Sequence, residues 1–175
     1  MISDPDGPPT GLAPADAAAV EAQLGRPPRA VIDVAHRCPC GLPDVVRSAP
    51  RLEDGTPFPT LFYLTCSAAT GAIGTLEASG LMREMTARLA DDPDLAAAYQ
   101  RAHEDYLARR AEIAEVAEIE GISAGGMPTR VKCLHVLAGH ALAAGPGVNP
   151  LGDEVLALLG PWWAKGRCVP APAHP

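Results

Sequence analysis

Apolar residues are spaced in two ways along this chain, and the change falls near residue 66. Before it the apolar runs are short and broken by turn residues; beyond it they recur every three or four positions. Residues 15–24 predict a short opening helix, with Asp16 in its first turn and Gly25 just past its end. Pro27-Pro28 then forces an extended connector. Residues 30–35 (A-V-I-D-V-A) read as a strand, and residues 44–51 as a second one beginning with Val45-Val46. Residues 60–66 (T-L-F-Y-L-T-C) read as a third, dense in aromatic and β-branched side chains, with Asp54-Gly55 turning the chain ahead of it. Three strands in succession predict a small, mostly antiparallel sheet over about residues 30–66.

The helical period takes over after Cys66. Residues 68–78 predict a helix weakened by Gly71 and Gly74, and residues 80–90 a stronger one, with Leu81, Met82, Met85 and Leu89 on one face. Asp92-Pro93-Asp94 supplies an N-cap, a first-turn proline and an early acid. The helix it opens is expected to run to about residue 120, with Leu95, Tyr99, Ala102, Tyr106, Ile113 and Val116 on its apolar face. A glycine-rich loop follows at residues 121–127, then helices at 129–143 and 151–159, each closed by Gly and Pro. Trp162-Trp163 are expected to pin the C-terminal segment to the body. The fold class is therefore α+β: a three-stranded sheet over about 30–66 followed by a helical half over about 68–160. The expected organisation is one domain over 14–169, between a flexible tail at 1–13 and a disordered tail at 170–175.

Composition narrows the function classes. A chain of 175 residues has room for one well-formed core. Its 47% hydrophobic content leans on alanine and includes only 4% aromatics, so the helices must pack closely. A net charge of −7 disfavours nucleic acid and anionic membrane surfaces, leaving a protein partner, a second copy or a small anionic ligand as expected partners. The first ten residues carry Asp4 and Asp6 and no apolar run, and no stretch is apolar for long enough to span a bilayer. The expected location is the cytoplasm, where five cysteines serve as ligands, reactive thiols or buried small residues rather than as a disulfide framework.

The cysteines carry the first candidate chemistry. Cys38-Pro39-Cys40-Gly41 places two thiols at a strand end, with a proline to stiffen the turn and a glycine to let it curl. Such a pair suits zinc in a tetrahedral site and, as a second choice, an iron–sulfur cluster. If the first and third strands run parallel, Cys38, Cys40 and Cys66 share one sheet edge. Cys133 then completes a four-cysteine set, with His135 as a further candidate ligand and Cys168, near the chain end, left out. On a regular helix, however, His135 points away from Cys133. The second candidate is the loop Ser123-Ala124-Gly125-Gly126-Met127-Pro128 ahead of Arg130 and Lys132. Gly125 and Gly126 opening a helix, with Arg130, Lys132 and Arg37 nearby, make an expected anion site. Glu77, Glu84, Glu104 and Asp105 read as solvated helix faces.

Several longer strings point to a family. They are Arg37-Cys38-Pro39-Cys40-Gly41-Leu42-Pro43, Phe58-Pro59-Thr60-Leu61-Phe62-Tyr63-Leu64-Thr65-Cys66, Leu76-Glu77-Ala78-Ser79-Gly80-Leu81-Met82, Arg130-Val131-Lys132-Cys133-Leu134-His135 and Gly145-Pro146-Gly147-Val148-Asn149-Pro150. Over about residues 29–159 the chain resembles the actinobacterial family of unknown function DUF501. The resemblance implies a bacterial cytoplasmic protein and implies no activity. Three readings follow from the residues. The leading one is a metal-binding or metal-stabilised interaction protein with zinc, or less readily iron–sulfur, on cysteine ligands. The second is an enzyme whose cysteine and histidine act on a small phosphorylated or carboxylated substrate, with no catalytic residue assigned. The third is a metal-free helical partner protein.

Overall fold

In the computed structural model, which describes residues 11–169, turns and strands follow the short apolar runs and helices follow the longer periodic ones. Helix α1 (Pro14–Leu24) precedes β1 (Val31–Arg37), β2 (Pro43–Ser48) and β3 (Phe62–Leu64). Then come α2 (Ser67–Ala78), α3 (Leu81–Asp91), α4 (Pro93–Ala111), α5 (Leu134–Ala144), α6 (Pro150–Leu159) and the single turn α7 (Trp162–Lys165). Of the expected tails at 1–13 and 170–175, residues 1–10 and 170–175 lie outside the described residues.

The sheet has the order β1-β2-β3 with both pairings antiparallel. Because side chains alternate across a strand, β2 serves two layers. Val45, opposite Leu64, packs with the helical core, whereas Val46 joins Val31 and Val20 of α1 on the other face. The sheet therefore lies between α1 and the helical half.

On the helical side the core is built from Ile73, Met85, Tyr99, Tyr106, Leu134, Leu137 and Leu151, all fully buried. With so few aromatics, Tyr106 does more than fill space. Tyr106 stands edge-on to Phe62 (5.8 Å) and to His140 (5.1 Å), and its hydroxyl accepts the Leu61 N–H at 2.6 Å. Small residues let backbones close the remaining gaps. A Cβ on Gly139 would stand 3.1 Å from the Phe62 carbonyl oxygen, and one on Gly152 would overlap the Leu137 carbonyl oxygen. These two positions seat α5 on β3 and α6 on α5.

Three element boundaries differ from the periodicity, each for a tertiary reason. Helix α4 stops at Ala111 instead of continuing to about residue 120. The buried Arg110 guanidinium donates to the carbonyls of Pro59 (3.1 Å) and Ile119 (2.7 Å), which folds the chain back, and Ile113 and Val116 pack from a loop. Helix α5 starts at Leu134, not at residue 129, because residues 130–131 are held non-helical. The Arg130 carbonyl accepts from Tyr99 (3.1 Å) and the Val131 N–H donates to Thr86 Oγ1 (3.0 Å). The third strand is three residues long instead of seven, since only Phe62, Tyr63 and Leu64 find partners on β2.

Candidate metal centre

Antiparallel pairing of β2 with both neighbours makes β1 and β3 run the same way, so their C-terminal ends share one sheet edge. Cys38 is the first residue past β1, and Cys66 caps α2 just past β3. Between β1 and β2 the chain reverses tightly. Cys38 N–H donates to the Leu42 carbonyl (3.0 Å) and Gly41 N–H to the Cys38 carbonyl (2.8 Å), with Gly41 at a φ of 92° that glycine adopts freely. In the same turn the backbone N–H of Cys40 acts on the Cys38 sulfur and that of Leu42 on the Cys40 sulfur, each lowering the thiol's proton affinity. Backbone donors on sulfur favour the thiolate and orient a ligand.

The fourth thiol comes from the far end of the chain. Trp162 is buried and packs edge-on with Trp163, and α7 lies against α2. The next residues run back along α2, where the Cys168 carbonyl accepts the Ser67 N–H at 3.2 Å. This sets Cys168 Sγ 3.1 Å from Cys40 Sγ, and the Cys66 and Cys38 thiols also act on it. The sulfurs of Cys38, Cys40 and Cys168 all lie within 4.8 Å of one another, and Cys66 stands outside that set of three. A tetrahedral zinc ion with bonds of about 2.3 Å separates its sulfurs by about 3.8 Å, inside that range. Cys38, Cys66 and Cys168 are buried and Cys40 forms the exposed rim. Burial pushes the Cys38 and Cys168 thiols up. Burial pushes Cys40 up as well, but its contacts with the Cys168 thiol and the Leu42 N–H outweigh that and leave it below the ordinary range.

Cys133 and His135 do not join this group. They meet Glu77, near the end of α2, in a second cluster whose donor atoms lie within 4.8 Å of one another. Because α5 starts at Leu134, Cys133 is an extended cap residue, and its sulfur lies 4.0 Å from His135 Nδ1 instead of pointing away. Glu77 Oε1 accepts the Leu134 N–H (2.7 Å) and lies 3.1 Å from His135 Nδ1, while His135 Nε2 is 3.2 Å from the Thr70 carbonyl oxygen. The neighbouring Cys133 sulfur is the main cause that pushes His135 up to about 9; burial opposes it, and Glu77 and the Thr70 carbonyl add to the rise.

A model of the family described as Protein of unknown function (DUF501) matches residues 34–157. The chain belongs to the DUF501 family. The DUF501 match takes in Cys38, Cys40, Cys66, Glu77, Cys133 and His135 and ends ahead of Cys168. No curated protein and no solved structure matches the chain. Among the described residues, no helix is long and apolar enough to cross a membrane.

The expected anion-site residues separate. Arg37 turns to α1, where it makes a two-pronged pair with Asp16 (2.8 and 2.6 Å). Gly125 and Gly126 open no helix: their carbonyls accept the N–H groups of Lys132 (2.7 Å) and Arg130 (3.1 Å), so those amides face inward. The side chains of Arg130 and Lys132 remain exposed and line a groove of about 640 Å³ with Arg83, beside Glu77. Of the other histidines, His140 is a core residue held by Asp105 and Asn149, His103 bonds Ser123, and His36 bonds the buried Asp44.

Two residues of these clusters escaped the sequence reading, Cys168 and Glu77. Each left a trace. Cys168 follows the only tryptophan pair, the natural anchor for a chain end, and Glu77 is the only charged residue in α2.

Proposed function

We propose that this chain is a metal-binding protein in which Cys38, Cys40, Cys66 and Cys168 hold one zinc ion that stabilises the fold. One observation carries the reading: the thiols of Cys38 and Cys40 meet that of Cys168, which lies 128 residues beyond Cys40, and Cys66 at the neighbouring strand end is the remaining thiol beside Cys168. Four sulfur ligands suit a closed, structural zinc site, because they leave no coordination position for a substrate. The ion ties the β1–β2 turn and the start of α2 to the C-terminal segment, and such a clip stabilises most when it closes a long loop. In this reading the protein is cytoplasmic and works as a metal-stabilised interaction module, since thiol ligands persist where the compartment is reducing.

The same donors suit an iron–sulfur cluster, so the test must separate the two. Elemental analysis and an absorption spectrum of protein purified anaerobically, without a metal-affinity tag, do so. Zinc bound through these cysteines, with no visible band, supports the proposal. Iron with a visible thiolate band replaces zinc by a cluster on the same ligands. Protein free of both metals, with all five thiols open to a thiol reagent, refutes the site.

A further inference from the structure

The second cluster shares no residue with the four-cysteine group and differs from it in kind. We propose that Glu77, Cys133 and His135 form a separate metal site with an open coordination position, facing a groove that accepts a small anion. Three observations carry this. First, the donor atoms converge: Cys133 Sγ lies 4.0 Å and Glu77 Oε1 3.1 Å from His135 Nδ1. A tetrahedral zinc ion with ordinary bond lengths places sulfur and nitrogen ligands about 3.6 Å apart, and oxygen and nitrogen about 3.4 Å apart. The observed distances bracket those values.

Second, the supporting contacts are those a ligating set needs. His135 Nε2, 3.2 Å from the Thr70 carbonyl, donates its hydrogen there, so an ion that displaces the Nδ1 proton meets a lone pair facing Cys133 and Glu77. The Leu134 N–H fixes the Glu77 carboxylate at 2.7 Å. Ring tautomer, ring plane and carboxylate are thus set by backbone groups of α2 and α5, the rigid elements that carry the ligands.

Third, three protein ligands of mixed type leave a fourth position free, as in catalytic rather than structural zinc sites. The groove beside Glu77 holds about 640 Å³ and is lined by Arg83, Arg130 and Lys132. Glu77 lines the same groove, so these three cations share it with one of the proposed ligands and favour a phosphate or carboxylate group bound through one oxygen to the ion and through the others to the cationic side chains.

The experiment uses the full chain, stripped with chelator and titrated with cobalt(II), whose spectrum reports ligand type and number. Wild type is expected to take up two equivalents, one with a four-thiolate spectrum and one with a single-thiolate spectrum. Glu77→Gln keeps an oxygen for the Leu134 N–H and so preserves the start of α5. It and Cys133→Ser should each lose only the single-thiolate equivalent, while Cys168→Ser should lose only the other. Inorganic phosphate should change the single-thiolate spectrum in wild type, and change it far less in the Arg130→Gln, Lys132→Gln double variant. If wild type takes up one equivalent that Cys168→Ser loses and Glu77→Gln keeps, the second site does not exist. If instead that one equivalent is lost in Glu77→Gln and kept in Cys168→Ser, this site stands and the four-cysteine reading fails. Rapid alkylation of Cys133 in cobalt-loaded protein would overturn the proposal in favour of a thiolate–imidazolium pair. A spectrum indifferent to phosphate would overturn the open position.

Discussion

Replacing Cys168 by serine removes one sulfur from the four-cysteine group and little else, since the residue is small, buried and near the end of the described chain. Its effect follows from loop closure. With an ion bound as proposed, Cys40 and Cys168, 128 residues apart, close the loop, for which the chain-entropy model gives about 5 kcal/mol. Real cross-links deliver less, commonly about 2–4 kcal/mol. For a chain of this size each kcal/mol moves the melting temperature by about 2–4 °C, so Cys168→Ser should melt about 10 °C below wild type in zinc-containing buffer. A local signal should accompany the global one. Lys165 and Arg167 are exposed on the segment that Cys168 anchors, and trypsin should cut there faster in the variant. Cys133→Ser, in the other cluster, is the comparator for losing a thiol outside this group. The reasoning is refuted if Cys168→Ser keeps its zinc and melts within about 2 °C of wild type.

Three further outcomes follow from the packing. Tyr106→Phe leaves the Leu61 N–H without its acceptor in the core and should cost about 1–3 kcal/mol in urea unfolding; an unchanged midpoint would mean that water or a shifted carbonyl takes over. A methyl group on Gly152 would meet the Leu137 carbonyl and Ala141, so Gly152→Ala should destabilise by about 1–3 kcal/mol, whereas Gly74→Ala, with open space around it, should stabilise by up to about 1 kcal/mol. His140 is held below its ordinary range mainly by burial and also by Arg109, with Asp105 and Asp153 pulling the other way, and Asn149 donating to Nδ1 means that Nε2 carries the hydrogen to Asp105. Below about pH 6.5 the unfolded histidine takes up a proton that the folded one refuses. Its contribution is therefore complete above that pH and lost as pH falls, with a slope of up to about 1.4 kcal/mol per pH unit. Urea midpoints between pH 7.5 and 5 should fall less steeply in His140→Gln than in wild type; parallel curves would rule this out.

The division between the two cysteine groups shows why one half of the site was readable and the other was not. A run of three strands joined by short turns pairs antiparallel, and alternate strands of such a sheet are parallel. The shared edge of the strand ends that lead to Cys38 and Cys66 was accordingly legible from order and spacing, but the sulfur that joins Cys38 and Cys40 is that of Cys168. The second cluster was half legible, in Cys133 and His135, but not their partner Glu77.

Local patterning by itself determined the α+β class, the succession of elements, most helix starts and the turn that presents Cys38 and Cys40. It could do so because turn propensities, caps and amphipathic spacing act within a few residues. The tertiary structure alone decided that α4 ends at Ala111 and α5 begins at Leu134. Both ends depend on hydrogen bonds from Arg110, Tyr99 and Thr86 to backbone distant in sequence. It also decided that Cys168 joins Cys40 across 128 residues while Cys133 turns to Glu77 and His135. Donors gathered from separate stretches of chain meet only where the helices pack, and no spacing along the chain records that meeting.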